Sequence, residues 1–150
     1  MAAAGVAACA ASAASAQDYS LDPTYGSVTL EAGFTPDPFT VNLSSGGSRE
    51  ASSAHDSCRG YIANAPDYRL NYESGGFPLI ISVDSNVDTT LVVNGPNGSW
   101  HCDDDSGEKS LNPMVRIDKP MSGQYDIWVG TYGSDDIEPA VLQISELSSQ

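Results

Sequence analysis

Basic residues are scarce in this chain: Lys and Arg together number 6, against 20 Asp and Glu, and the formal net charge at pH 7 is -14. Phosphate-rich partners meet a repulsive field from such a protein, so nucleic acid and anionic membrane surfaces are excluded as general ligands. Histidine is rarer still, and its two copies, His55 and His101, are far apart in sequence, so no close pair offers imidazole acid–base chemistry. No apolar run approaches the roughly 18 to 20 residues that cross a bilayer, and no membrane span is expected. Helical periodicity is nearly absent, which excludes the crossover helices of a parallel α/β sheet, and no internal repeat marks a solenoid. Charged residues as a whole are only 17%, with 40% hydrophobic residues, so the chain belongs with folded rather than disordered proteins. Its 150 residues suit one domain.

What is present begins with residues 1–16, MAAAGVAACAASAASA, an uncharged Ala-rich run ending in small residues before Gln17 and Asp18. It reads as a secretory signal peptide cut before Gln17, leaving a single domain over 17–150 in a secreted or periplasmic setting. Val6-Ala7-Ala8-Cys9 resembles a bacterial lipobox, so lipidation of Cys9 is an alternative if the start lies upstream. Removal of the segment leaves Cys58 and Cys102, and an even pair in an exported chain is most simply a disulfide. The other use of these residues, a zinc site with His55 and His101, lacks the short ligand spacing of tetrahedral sites.

Alternation of apolar and polar residues then recurs along the chain. Val28, Leu30 and Ala32 share one face, as do Phe39, Val41 and Leu43 after a turn-rich stretch, and the two runs suggest an antiparallel pair. Residues 44–57 read as a loop or irregular edge. Strands follow at 68–72, 77–83, 89–93, 99–102, 114–117, 125–129 and 141–147, separated by Gly, Pro, Asn and Ser turns. Short strands at this spacing indicate an all-β protein, an antiparallel β-sandwich of jelly-roll-like architecture.

Four carboxylates, Asp103, Asp104, Asp105 and Glu108, fall within six positions, and Gly107 permits a bend. Such a loop offers several of the oxygen ligands that Ca²⁺ takes, and like charges this close repel unless a cation offsets them. Asp84, Asp88 and Asn94, on neighbouring turns, are candidates to complete the shell. The other reading is a solvated acidic loop. Hydrolase alternatives are a serine peptidase using Ser106 and His55, opposed by Asp104 and Glu108 where such enzymes carry glycine, and a glycosidase pair of Asp105 and Asp126. Trp100, Tyr125, Trp128 and Tyr132 either fill the core or form a ligand platform. Alternation places Tyr125, Ile127 and Val129 on one face and Trp128 on the other, so Trp128 with Tyr132 is the candidate carbohydrate-stacking platform if that face is open.

The order of motifs over 61–147 resembles the bacterial pre-peptidase C-terminal domain. The residues that carry it are Asp67-Tyr68-Arg69-Leu70-Asn71-Tyr72, Leu79-Ile80-Ile81-Ser82-Val83, Asp88-Thr89-Thr90-Leu91-Val92-Val93, the turn Gly95-Pro96-Asn97-Gly98, the acidic Asp103-Asp104-Asp105-Ser106-Gly107, Leu111-Asn112-Pro113, and the segment from Ser122-Gly123 through Trp128 to Tyr132. The resemblance implies a jelly-roll-like, non-catalytic module of secreted proteins, with calcium-supported folding and adhesion to extracellular polymers. A free-standing version is expected to bind or stabilise an extracellular protein or polysaccharide in trans.

Overall fold

The computed structural model describes residues 18–150. The signal-peptide and lipobox expectations fall on residues 1–16 and lie outside the described residues.

The described chain forms eleven strands and one turn of 3₁₀ helix at Ala51–Ser53. In chain order the strands are β1 (Ser27–Glu31), β2 (Phe39–Ser45), β3 (Arg49–Glu50), β4 (Tyr61–Ile62), β5 (Tyr68–Glu73), β6 (Leu79–Asp84), β7 (Thr89–Asn94), β8 (Trp100–Asp103), β9 (Met114–Ile117), β10 (Gly123–Thr131) and β11 (Glu138–Ser145). Two sheets pack face to face, as the alternation required. The smaller has the order β2-β11-β6-β9. The larger is organised around β10: β7 and then β8 lie along one side, while β5 and β4 occupy successive stretches of the other, flanked by β1 and β3.

The first two strands depart from the expected antiparallel pair. β1 runs parallel to β5 in the larger sheet, and β2 pairs with β11 in the smaller one. Pro36 and Pro38 in the connection lack the N–H groups that a hairpin ladder needs, and the chain uses the connection to change sheets. It changes back after β2 through Gly46, whose φ is +96°. A Cβ there would collide with the Asp136 carbonyl, so the crossing needs glycine.

Between the sheets lies the main core, where Leu70 and Tyr72 of β5, Leu91 and Val93 of β7, and Tyr125, Ile127 and Val129 of β10 meet Leu79, Ile81, Val83, Leu142 and Ile144 of the smaller sheet. A second, smaller core sits on the outer face of the larger sheet. Ala51 and Cys58 cover Val92 and Trp128 there, with Ile62 of β4, Trp100 and Cys102 packed alongside. The 51–58 segment is pinned over this patch by the Cys58–Cys102 disulfide, with the Cα atoms 5.2 Å apart.

The break between β5 and β4 along the edge of β10 leaves backbone groups of Val129 without a strand partner, and a buried N–H must find an acceptor. Asp67 supplies one: its Oδ2 accepts the Val129 N–H at 2.7 Å, while Gly46 N–H donates to the Val129 carbonyl at 3.0 Å. Burial pushes the Asp67 carboxyl up to about 7, with the Val129 hydrogen bond opposing the shift.

Candidate functional site

Strand pairing lines up one row of side chains across the outer face of the larger sheet. Arg69 of β5 stands opposite Asp126 of β10, Asp126 opposite Asn94 of β7, and Asn94 opposite Trp100 of β8. Neighbouring strands are about 4.8 Å apart, so the row spans roughly 14 Å from Arg69 to Trp100. This is the half of the face that the 51–58 segment leaves uncovered. An open cleft of about 650 Å³ occupies it, bounded by Tyr19 and Trp100, with Asn94, Gln124 and Asp126 among the groups that line it.

Each wall of the cleft has a local cause. Arg69 holds Asp126 Oδ1 through Nε at 2.7 Å, and its Nη2 donates to the Tyr19 carbonyl at 2.8 Å and the Leu21 carbonyl at 3.1 Å. The ion pair is largely buried, and Nη2 straps the 19–21 segment across the face. Tyr19 is thereby brought to the rim, 54% exposed. On the opposite side, Trp100 is half-buried and leans on Trp128, with centroids 5.6 Å apart and planes at 40°. The turn between β7 and β8 closes as its Asn-Gly-Pro composition requires, with Gly95 N–H donating to Ser99 O at 2.9 Å. Gly123, at φ +141°, lets the start of β10 approach that turn: a Cβ would lie 2.7 Å from Pro96 Cβ.

On the floor, Gln124 Nε2 donates to Asp126 Oδ2 at 2.8 Å, which leaves the Gln124 carbonyl oxygen and second amide hydrogen for a ligand. Asn94 makes a long contact from Nδ2 to Gly98 O at 3.4 Å. Asp126 is engaged on both oxygens and paired with a guanidinium, an arrangement suited to positioning rather than to proton transfer.

The residues expected to carry chemistry are distributed differently. Trp128 faces away from the main core as alternation required, but that part of the face is closed. The side chain is fully buried under the disulfide-pinned segment, and its Nε1 donates to Asn64 O at 3.3 Å. Trp128 is therefore corrected from exposed platform to core. Tyr132 is 42% exposed beyond the far end of β10 and does not join it. Ser106 Oγ donates to Asp103 at 2.6 Å, whereas His55 Nδ1 contacts Ser57 Oγ at 2.8 Å, so neither contact joins Ser106 to His55.

The six carboxylates of the expected calcium shell do not converge on one point. Both oxygens of Asp103 are engaged: Oδ1 accepts from Ser106 Oγ, and Oδ2 from the backbone N–H groups of Ser106 and Met114 at 2.8 and 2.9 Å. Asp84 pairs with Lys109 at 2.6 Å, and Glu108 is exposed. Asp88, Asp104 and Asp105 are the remaining three. Burial raises the Asp88 carboxyl first and the charges of Asp105 and Asp104 add to it; Asp104 is raised by burial, then by Asp105 and Asp103. Asp88 Oδ1 is buried without a hydrogen-bond partner. Among the described residues no three His, Cys, Asp or Glu side chains stand ready as a metal-ligand set. Asn94 lies at the other end of β7 from Asp88, about 20 Å away along the strand, and belongs to the cleft instead.

Trp100, Asn94 and Asp126 were visible in the sequence in other roles; Arg69 and Gln124 fell within the segments of the family resemblance without a role of their own, and Tyr19 carried no motif. Arg69 between Tyr68 and Leu70, and Gln124 before Tyr125, are outward polar positions in alternating strands; only the register brings them together. No protein-family model matches the chain, and none of the curated proteins matches it in sequence. In three dimensions the chain is similar to PliG of Aeromonas hydrophila, a periplasmic lysozyme inhibitor of g-type lysozyme, at 14% identity and a TM-score of 0.40, over 80% of this chain and 96% of that one.

Proposed function

We propose that this protein is an exported, non-catalytic binding module whose ligand site is the cleft between Tyr19 and Trp100. The observation that carries the reading is the division of one sheet face into a sealed half and an open half. The open half combines aromatic walls with hydrogen-bonding groups held in place by the Arg69–Asp126 pair. The lining mixes polar side chains, Asn94, Ser122, Gln124 and Asp126, with the aromatic Tyr19 and Trp100, so polar groups that can orient a ligand stand beside rings that can pack on it. Export is supported by the disulfide, which persists in oxidising compartments, and by the Ala-rich segment before Gln17. A non-catalytic role is supported by the engagement of Ser106, His55 and Asp126 with partners other than one another. Extracellular proteins and polysaccharides are the partner classes open to it. The test screens arrays of both classes with the parent chain and a Tyr19→Ala/Gln124→Ala variant. Binding to a defined ligand that the variant loses is expected; no ligand in either class, or equal binding by the variant, overturns the reading.

A second reading concerns calcium, centred on Asp88, with Asp104 and Asp105 as the neighbouring carboxylates that would have to draw in around the ion. It is favoured by the buried, unpartnered Asp88 Oδ1, and it is what the likeness to pre-peptidase C-terminal domains implies. A bound cation would offset the mutual repulsion of these carboxylates. At calcium one hundred times its dissociation constant, the folded state would gain about 2.7 kcal/mol. Thermal melting in millimolar Ca²⁺ is expected to rise for the parent and not for Asp88→Asn. No rise, or a rise that Asp88→Asn retains, overturns it.

A further inference from the structure

We infer that the cleft takes a neutral, hydroxyl-rich ligand, a short segment of an uncharged polysaccharide or glycan chain lying from Tyr19 towards Trp100. This rests on the cleft being the binding site and names what fills it.

Charge decides the first part. The chain carries a net charge of -14, so an anionic ligand needs a local cation to hold it. The cation beside the cleft is Arg69: its Nε and Nη2 are engaged by Asp126 and by the carbonyls of Tyr19 and Leu21, and the residue is not among those that line the cleft. A cationic ligand would look to Asp126, which is 2% exposed and bonded to Arg69 and Gln124. Neither sign finds an unengaged partner on the floor, so the ligand is uncharged.

Shape and surface chemistry decide the second. Sugar rings present apolar, slightly positive C–H faces, which suit the negative faces of aromatic rings, and hydroxyls on their edges, which both donate and accept. Tyr19 and Trp100 offer such rings on opposite sides of the cleft, while the Gln124 amide supplies an acceptor and a donor between them. The row across the sheet, roughly 14 Å from Arg69 to Trp100, gives the cleft the length for a short run of sugar rings and not for a single one. An extended peptide is a poorer occupant, because strand addition needs unpaired backbone at a sheet edge. Here β5, β10 and β7 are paired with strands on both sides.

Isothermal titration of the parent chain with chitotetraose, cellotetraose and laminaritetraose tests the inference, with tetragalacturonate as the anionic counterpart. At least one neutral tetrasaccharide is expected to bind, tetragalacturonate is expected not to, and Tyr19→Ala and Gln124→Ala each to weaken binding about five- to tenfold. Both side chains are exposed, so melting temperatures are expected to stay at the parent value and to separate lost binding from lost folding. No heat from any neutral tetrasaccharide at about 10 mM, or affinities unchanged in both variants, overturns the inference. Tetragalacturonate binding more tightly than every neutral probe also overturns it. If a protein ligand is lost by the Tyr19→Ala/Gln124→Ala variant while all three neutral sugars fail, the binding-module reading stands and the neutral-glycan assignment falls.

Discussion

The outer face of the larger sheet is two surfaces in one. On β10, Trp128 and Asp126 are two residues apart and point the same way, and both are buried. Trp128 is closed under Ala51 and Cys58 and flanked by Ile62, while Asp126 lies at the floor of an open cleft, buried by its own ion pair. The strand makes no distinction between the two positions. The difference comes from a separate stretch of chain, residues 51–58, and from the disulfide that ties it to β8 over one half of the face. A sheet face becomes core or recognition surface according to what the rest of the chain lays on it.

Breaking the sealed half should have the largest effect. Trp128→Ala removes the largest side chain of the second core and leaves a cavity beneath a covalently restrained cover, at a cost of about 3–5 kcal/mol in chemical denaturation. A cost below about 1 kcal/mol would mean that this half is not a packed core. Replacing both Cys58 and Cys102 by Ala acts next, chiefly through the unfolded chain. For a sequence separation of 44 the loss is about 4 kcal/mol in the chain-entropy model, with 2–4 kcal/mol typical of such bonds. The same variant should make Trp128 accessible to acrylamide quenching; unchanged quenching would show that packing alone holds the cover.

Asp67 tests the seam between the halves, since β4 belongs to the sealed end and β5 to the open one. Its carboxyl is raised from 3.8 to about 7 by burial. Between these values the unfolded chain has lost the proton that the native state keeps, so stability falls as pH rises from about 4 to 7. The penalty is complete above the folded value and is on the order of a few kcal/mol. Asn at 67 can still accept the Val129 N–H and has no charge to bury. Asp67→Asn should therefore flatten the decline in unfolding free energy between pH 4 and 7, and a parallel decline in parent and variant would refute the assignment. The smallest stability effect belongs to the open half: Gln124→Ala should change unfolding free energy by less than about 0.5 kcal/mol. A larger loss would show that the cleft floor is part of the fold's support.

Much of this was legible in the residues. Alternation in 125–129 separated Trp128 from Tyr125, Ile127 and Val129, and the even cysteine pair indicated the bond that the structure contains. Turn residues marked the β7–β8 hairpin. The fate of Trp128 was not legible, because period-two alternation reports which residues share a face and is silent on whether another segment covers it. Crowding of Asp103, Asp104 and Asp105 suggested one shared ion, yet Asp103 turned inward to bond the backbone of its own loop and of β9, a choice set by local geometry. Asp67 gave no warning, since its role arises from a gap between two strands paired to a third.

By itself, then, the sequence determined that the protein is a β-sandwich, which positions share a face, and that its surface is strongly acidic. Those properties follow from side-chain period and composition, which are local or additive. Tertiary structure decided that β1 and β2 part company, that Trp128 is sealed and that Asn94, Asp126 and Trp100 form one row. Each depends on strand register or on a distant segment folding across a face, and neither is encoded at the positions it transforms.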